Sequence, residues 1–330
     1  MNSFIYDIPT KVYFGENQLG HLGEELSKYG KKVLLTYGGG SIKKSGLYDK
    51  VVAEIKKAGL ELFELSGIEP NPKVSSVRDG AELCKKEGIR TMGIVNVVGS
   101  SIAREADNVF YTLAGPEISV ATTKAYSTQL IAAYVLAIQF AKVKGTISEE
   151  QYSTYIKELE TLPDKIQRII DDKERLQWFA SKQANSKDVF FIGRGIDYAI
   201  SMEGSLKMKE ISYIHSEAYA AGELKHGTIS LIEDGTLVIG VLTQPALYEK
   251  TVSNMVECKS RGAYLMGLTS YGNYSIEDSA DFTVYIPRTN ELFAASLAVV
   301  PLQLLGYYVS LARGLDVDKP RNLAKSVTVE

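Results

Sequence analysis

The sequence is poor in cysteine, histidine and tryptophan, and neither sign of charge predominates. Its 330 residues include two cysteines, three histidines and one tryptophan. Cys84 and Cys258 each stand alone in a charged stretch, so we expect neither a disulfide framework nor a cysteine metal cluster. The 37 basic and 40 acidic residues leave no cationic excess for binding nucleic acid or anionic lipid. We therefore expect a soluble, cytoplasmic protein that acts on small molecules.

Membrane-targeting features are also scarce. The N-terminus has no basic region followed by an apolar run, so no secretory signal is expected. The longest apolar stretch, Leu292 to Val309, contains Pro301 and Gln303 and has no basic flank on its N-terminal side. We interpret it as a buried core helix rather than a membrane span.

Short β-branched runs alternate with helical patterns along most of the chain, which is typical of βαβ units and parallel sheets. The alternation stops at a charged helical stretch from Ser148 to Gln183 and then resumes. The sequence therefore predicts an α/β fold with two parallel-sheet α/β/α lobes. The predicted parts are a first lobe (1–147), a helical connection (148–186), a second lobe (187–315) and a C-terminal segment with little signal (316–330).

Two predicted strands run into glycine-containing turns that open helices, at Thr36–Ser41 and Phe191–Ser205. Exposed amides and the helix dipole favour an anion at such a turn, so each is a candidate phosphate site. A purely structural turn is an equal alternative, because every α/β domain needs tight turns at its strand ends.

The segment Glu203–Gly227 concentrates ionisable groups in a predicted helix and the loop after it. Glu203, Lys207 and Glu210 recur at i, i+4 and i+7 and share one helical face. A solvated face held by ion pairs is the alternative to a catalytic role. The position after a glycine turn favours catalysis, because ligands gather at the carboxyl edge of parallel sheets. His226, in the following loop, is a candidate acid or base.

Several long motifs between Thr91 and Glu330 resemble the isomerase domain of glutamine:fructose-6-phosphate aminotransferase, which is built from sugar isomerase (SIS) modules. They are NVVGSSIAREAD, GPEISVATTKAYSTQL, FIGRGIDYAISMEGSLKMKEISYIHSEAYAAGELKHG and VPLQLLGYYVSLARGLDVDKPRNLAKSVTVE. The resemblance implies isomerisation of fructose 6-phosphate with amination at C2, giving glucosamine 6-phosphate. It implies no cofactor and no metal.

The same resemblance implies roles for individual residues. Glu210 carries a proton between C1 and C2, and Lys207 assists it. His226 opens the sugar ring in the site of a neighbouring subunit, which implies a homodimer. Lys325 forms a Schiff base with the open-chain ketose. Four further residues are implied to hold the substrate or anchor the tail around it: Glu203, Val97, Arg321 and Ala324.

Residues 1 to about 89 resemble another family, the iron-containing NAD(P)-dependent alcohol dehydrogenases of the butanol dehydrogenase type. The motifs are IPTKVYFGENQLGHLGEEL, LLTYGGGSIKKSGLYDKV and LSGIEPNPKVSSVRDGAELCKKEGI. The dehydrogenase metal site needs several histidines, and with three in the whole chain we do not expect it to form. The sequence predicts a chimera joined near residues 89–91. We expect strands near Val33 and Leu62 to pair with the strand at Met92–Val97 in one hybrid lobe.

The sequence also departs from the aminotransferase pattern. No glutaminase domain precedes the isomerase part, so we expect ammonia rather than glutamine as nitrogen donor. The hydroxyl-rich phosphate loops of the family are missing from the first lobe. Gly39, Gly40 and Ser41, followed by two lysines, are candidates for a substitute anion cradle. A sugar-phosphate-binding module without catalysis, or an inactive fusion, are the alternatives to an enzyme.

Overall fold

The computed structural model describes residues 18–38, 40–68, 74–88 and 91–324. They divide into two compact units. The first contains the described residues up to Gly93 together with Arg104–Val109, and the second contains Ile94–Ala103 and the described residues from Phe110 onward.

The first unit is built around two parallel strands. Its elements are α1 (Leu22–Ser27), β1 (Lys32–Thr36), α2 (Ser41–Lys44), α3 (Leu47–Lys57), β2 (Glu61–Leu65) and α4 (Val74–Lys86). Strands β1 and β2 lie at the predicted positions and pair with each other in parallel, with Val33 opposite Leu62. Ile55 of α3 is 1% exposed and anchors the apolar side of this unit.

A third and a fourth strand form a separate two-stranded sheet. The elements are β3 (Met92–Val95), α5 (Ser101–Glu105) and β4 (Asn108–Tyr111). The Asn108 N–H donates to Thr91 O (3.1 Å) and the Thr112 N–H donates to Val95 O (2.9 Å), so the two strands advance in the same direction. Within the described residues β3 does not pair with β2, and the prediction of one hybrid sheet is wrong. The short β3–α5–β4 connection supplies β3 with a partner of its own.

The second unit begins with three helices, α6 (Thr123–Val143), α7 (Glu149–Asp171) and α8 (Lys173–Gln183). Strands and helices then alternate: β5 (Asp188–Gly193), α9 (Ile196–Lys207), β6 (His215–Ala220), β7 (Leu237–Leu242), α10 (Tyr248–Lys259), β8 (Tyr264–Ser270), β9 (Phe282–Ile286) and α11 (Ala294–Ala312). The five strands form one parallel sheet in the order β6-β5-β7-β8-β9. Four were predicted; β6 was not, because HSEAYA is polar and resembles the charged segment before it.

The core of the second unit lies against both faces of this sheet, and β7 is buried at every position. Helix α11 packs against α7, α8 and α9. The stretch Glu291–Ala312 is long and apolar enough to cross a membrane, but 72% of its most apolar window is buried inside the protein. This burial supports the interpretation of the stretch as a core helix.

Close packing of α9 depends on Gly204. An added Cβ would lie 2.8 Å from Leu302 Cδ1 and 3.0 Å from Phe191 Cε1, and both neighbours are buried. We expect Gly204→Ala to reduce the free energy of unfolding by about 1–2 kcal/mol, after allowance for the better helix propensity of alanine. Gly20→Ala is the control, because an added Cβ there meets nothing within 4 Å. Denaturant unfolding should separate the two variants, and equal stability in both would contradict the packing argument.

Candidate active site

Three charged side chains meet at the end of α9, with buried Lys207 at their centre. The Lys207 ammonium lies 2.6 Å from Glu210 Oε2 and 3.6 Å from Glu203 Oε1. It also donates a hydrogen bond to the backbone carbonyl of Ala121. The Lys207 side chain is 4% exposed. A buried ammonium surrounded by three oxygen acceptors has a fixed position and keeps its charge paired.

The helix changes its winding where these residues meet. Regular α-helix ends at Lys207, and Met208–Ser212 form a single π-helical turn. Such turns are rare and are often found at functional sites. Glu210 lies in this turn, and Tyr213, which ends it, adopts a left-handed conformation with φ of +59°. The predicted proximity of Glu203, Lys207 and Glu210 is therefore observed. The backbone that carries Glu210 is a π-helical turn rather than the regular α-helix that the prediction assumed.

Glu203 is a nearly buried carboxyl group with incomplete hydrogen bonding. Burial raises the pKa of Glu203, the nearby Glu210 raises it further, and Lys207 opposes both. At 3.6 Å from the ammonium, Oε1 is within ion-pair range, but it accepts no hydrogen bond from the described residues. Burial raises the pKa of the neighbouring Tyr126, and the charge of Glu203 raises it further. A carboxyl group with a raised pKa beside a paired carboxylate is a candidate for taking part in proton exchange.

Glu210 lines a cavity of about 460 Å³. The lining residues are Leu206, Lys209, Glu210, Tyr213, Ile214, His215, Arg321, Asn322 and Leu323. The volume falls in the range of small-molecule sites. The wall on one side is the end of α9 with its π-turn, and the opposite wall is the C-terminal segment.

Tyr213 connects these two walls. Its hydroxyl accepts a hydrogen bond from the Arg321 N–H (2.7 Å), and the Arg321 guanidinium lies 4.3 Å from the ring centroid. Asn322, next in the chain, is left-handed with φ of +62°. The Val120 N–H also donates to Asp318 O (3.1 Å). The C-terminal segment is thus held on the structure by backbone and side-chain contacts just before its last described residues.

We expect Tyr213→Phe to loosen the C-terminal segment. The substitution keeps the ring under the Arg321 guanidinium and removes the hydroxyl that accepts the hydrogen bond of the Arg321 N–H. One hydrogen bond is worth about 1 kcal/mol, or roughly fivefold in an opening equilibrium. Amide hydrogen exchange at residues 319–324 should accelerate by about that factor. Tyr285→Phe, which loses a bond to Glu277, is the control. Unchanged exchange in Tyr213→Phe would show that this contact does not hold the segment.

Other predicted site residues do not line this cavity, or they lie outside the residues that the structure describes. His226 is exposed on a short 3-10 helix and does not line the Glu210 cavity. Val97 and Ala324 are exposed. Lys325 lies outside the described residues. The histidine that lines the cavity is His215, whose Nδ1 is 2.7 Å from Asp188 Oδ1.

The predicted anion cradle belongs to the first unit, whereas Glu210 belongs to the second. Gly39 lies outside the described residues, and Gly40, with φ of +113°, precedes α2. Helix α2, which begins at Ser41, has four residues and therefore little dipole to offer an anion.

Lys43, which follows this turn, lies against two aromatic rings, with the carboxylate of Glu64 nearby. Its ammonium lies 5.2 Å from the ring centroid of Tyr37 and 4.7 Å from that of Tyr48. Both tyrosine hydroxyls donate to Glu64, at 2.7 and 2.8 Å. Hydrogen bonds from Tyr37 and Tyr48 lower the pKa of Glu64. The negative charge of Glu64 near Lys43 offsets the positive charge that a phosphate would need here.

Sequence reasoning missed Tyr213, His215 and Ala121. Tyr213 and His215 stand inside the KEISYIH motif, so the motif could have suggested both, but their contacts to Arg321 and Asp188 come from distant segments. The Ala121 carbonyl has no sequence signal. No group of three or more His, Cys, Asp or Glu residues in the described part of the chain is arranged to hold a metal.

A parallel α/β sheet with a charged cluster beside a small-molecule cavity is an arrangement found in many α/β enzymes and binding domains. The SIS domain family matches residues 67–139 and 183–313, which make up more than half of the chain. The protein therefore belongs to the SIS domain family.

Relatives and solved structures agree with this assignment. The chain is 59% identical over 246 residues to the glutamine–fructose-6-phosphate aminotransferase of Caldanaerobacter subterraneus subsp. tengcongensis, covering 74% of this chain and 40% of the relative. It is 56% identical to that of Clostridium tetani, with the same coverage. The chain thus spans about 40% of the length of these curated relatives. The SIS part is accordingly similar to the isomerase part of these enzymes.

Among solved structures, the C-terminal domain of the Francisella tularensis glucosamine-fructose-6-phosphate aminotransferase matches with a TM-score of 0.69 and 29% identity, covering 92% of this chain and 89% of that one. The tagatose-6-phosphate ketose/aldose isomerase of Escherichia coli matches with a TM-score of 0.59 and 15% identity, covering 94% and 90%. At that identity the second match shows the fold alone.

The N-terminal segment matches a second family, the iron-containing alcohol dehydrogenases, over residues 9–101. The two family matches overlap over residues 67–101, which include the predicted junction near 89–91. The predicted resemblance of the chain to two families is confirmed.

Proposed function

We propose that the SIS part of this chain isomerises fructose 6-phosphate and, with ammonia as nitrogen donor, forms glucosamine 6-phosphate. The observation that carries the proposal is the hydrogen-bonded pair of Lys207 and Glu210 at the edge of a cavity large enough for a sugar phosphate. The relatives, which span more than this chain, carry the name of that reaction.

Glu210 is the proposed proton carrier. Its Oε2 accepts a hydrogen bond from the Lys207 ammonium (2.6 Å), which stabilises the carboxylate needed to take a proton from C1. No described residue donates to Oε1, which leaves that oxygen for the substrate. The same carboxyl group, once protonated, delivers the proton to C2 and returns to its charged state.

Lys207 and Glu203 are proposed to support this transfer. As Glu210 gains a proton, the paired Lys207 ammonium loses its nearest negative charge, and Glu203 at 3.6 Å remains to balance it. The raised pKa of Glu203 allows the group to share protons with this pair during the cycle. Two carboxyl groups in different environments can take different roles in acid–base work.

The remaining roles rest on the family resemblance. We propose that His226 opens the sugar ring in the site of a partner subunit, which requires a homodimer. Lys325 is proposed to bind the open-chain ketose as a Schiff base. Val97, Arg321 and Ala324 are proposed substrate or tail contacts, and the protein is expected to act in the cytoplasm.

Sugar-phosphate binding without turnover is the second candidate. The observation that favours it is that Lys43, beside the glycine turn of the first unit, lies against the rings of Tyr37 and Tyr48 with the charge of Glu64 nearby, so its own charge is already partly balanced. A substrate held without its phosphate loops is poorly positioned for proton transfer.

One assay separates the two. The purified chain is incubated with fructose 6-phosphate, with and without ammonium, and products are followed by NMR. Glucosamine 6-phosphate formed only with ammonium, and absent with Glu210→Gln, supports the enzyme. Saturable binding of fructose 6-phosphate without any product supports the binding module. The absence of both binding and product would contradict both candidate functions.

A further inference from the structure

We propose that a second cavity, at the carboxyl ends of β8 and β9, binds the phosphate group of a small phosphorylated molecule. The cavity has a volume of about 360 Å³ and shares no lining residue with the Glu210 cavity. Tyr271 follows β8, and Pro287 follows β9, so the cavity opens at the strand ends where parallel α/β sheets bind ligands. Helices α7 and α8 form the opposite wall.

The charge of this cavity is strongly unbalanced. Its cationic lining residues are Lys165, Arg168, Lys173 and Arg288, and its one acidic residue is Asp172. The whole chain, in contrast, has a formal charge of -3. The side chains of Arg168 and Lys173 form no ion pair or hydrogen bond with any described residue. Like charges gathered in one cavity repel each other, and a bound anion removes that cost.

The Arg288 guanidinium is fixed in place. Its Nε donates to Tyr271 O (2.7 Å). It lies against Gly272, where an added Cβ would overlap Arg288 Nη2, and the φ of +101° there also favours glycine. The guanidinium is therefore positioned by its Nε hydrogen bond and by the turn after β8 before any ligand arrives. A preorganised guanidinium is well suited to bind two phosphate oxygens at once.

A carboxylate ties the two walls together. Glu158 of α7 accepts hydrogen bonds from Lys165 Nζ (2.5 Å) and Thr289 Oγ1 (2.6 Å). The Lys165 bond is the largest of the effects that lower the pKa of Glu158. Lys165 is thus neutralised locally and shapes the cavity. Arg168, Lys173 and Arg288 are left to bind the anion.

The floor of the cavity suits the organic part of the ligand. Ile169, Leu176 and Pro301 are buried and apolar. Tyr271 lines one side and stacks on Tyr285, with ring centroids 5.6 Å apart. Cations at the rim and apolar surface below are the arrangement expected for a phosphate ester rather than a bare ion.

The single tryptophan provides a local reporter. Trp178 lies on α8 with its ring centroid 6.4 Å from that of Phe282. Phe282 lines a small space next to the cavity, together with Tyr271 and Tyr285. Ribose 5-phosphate is titrated against the full chain at constant ionic strength, with neutral ribose in parallel. We expect a saturable change in Trp178 fluorescence with ribose 5-phosphate and at least about tenfold weaker binding of ribose.

Two matched double variants test the site. Arg168→Gln with Lys173→Gln is expected to weaken ribose 5-phosphate binding at least about tenfold. Both side chains are exposed, so the fold is not at risk. Lys187→Gln with Lys250→Gln removes the same charge elsewhere and should change binding less than about twofold. The proposal is overturned if both double variants weaken ribose 5-phosphate binding equally, or if the full chain gives no saturable fluorescence change. It is also overturned if Lys209→Gln, at the Glu210 cavity, abolishes the signal.

Discussion

Glu210→Gln is expected to reduce turnover of fructose 6-phosphate by about 10²–10⁴-fold, the usual contribution of a positioned acid or base. Glutamine has nearly the same shape, and its carbonyl can still accept the hydrogen bond from Lys207. The amide cannot take the C1 proton. The loss should therefore fall on kcat, whereas the dissociation constant of the sugar phosphate should change by less than about threefold.

Glu249→Gln is the matched control. Glu249 is an exposed glutamate in the first turn of α10 and lines neither of the two cavities described above. Rates with and without ammonium are measured for both variants, and binding is measured by calorimetry. If Glu210→Gln retains more than about a tenth of the original rate, Glu210 is not the proton carrier. If the rate falls only because binding is lost, the residue holds substrate and another group moves the proton.

Local pattern was enough to predict much of the second unit. The runs DVFFIG, LVIGVL and YLMGLTS are continuous apolar segments that end near glycine or a polar turn, and they became the buried strands β5, β7 and β8. Burial on both faces requires such runs, so the sequence carries the signal directly. The edge strand β6 has one buried position, Ser216, and only partly covered neighbours. A strand that needs little apolar surface leaves little trace in the sequence.

Strand pairing in the hybrid region was not predictable in the same way. The pattern located β1, β2 and β3 correctly, but it did not give their partners: β1 pairs with β2, and neither pairs with β3 within the described residues. Within the described residues, β3 pairs with β4, which follows it after one short helix, and not with β2. A strand has two edges, so the local pattern alone does not decide which neighbours it takes.

The charged cluster at the end of α9 was predicted in its composition and missed in its geometry. Helical spacing was sufficient to place Glu203, Lys207 and Glu210 together. It does not reveal the π-turn, the left-handed Tyr213 or the Ala121 carbonyl that completes the shell of Lys207. These features depend on contacts between segments far apart in the chain. The helical spacing of charged residues within one segment cannot predict such contacts.

Lys207→Met is expected to reduce the free energy of unfolding by about 3–5 kcal/mol, the usual cost of breaking a buried ion pair from one side. Methionine fills similar space, so the loss comes from charge and hydrogen bonding rather than volume. It leaves the nearly buried Glu203 without a counter-charge and the Ala121 carbonyl without its donor. Lys209→Met, at an exposed neighbouring position, is the control and should change stability by less than about 0.5 kcal/mol.

The pH dependence of this loss identifies its cause. Lys207 opposes the burial that raises the pKa of Glu203, so its removal raises that pKa further. Between the pKa of an unfolded glutamate, about 4.3, and the higher folded value, the native state binds more protons than the unfolded chain. The free energy of unfolding then falls as pH rises through this window. The deficit of Lys207→Met should be small near pH 4, where Glu203 is protonated, and largest above the folded pKa.

Adding Glu203→Gln to Lys207→Met should restore most of the lost stability at pH 8 and little at pH 4, because the amide carries no charge to bury. Urea unfolding of the single and double variants at both pH values gives the comparison. A deficit of equal size at the two pH values would assign the loss to the Ala121 hydrogen bond or to packing. A double variant no more stable than Lys207→Met at pH 8 would mean that Glu203 does not need the charge of Lys207.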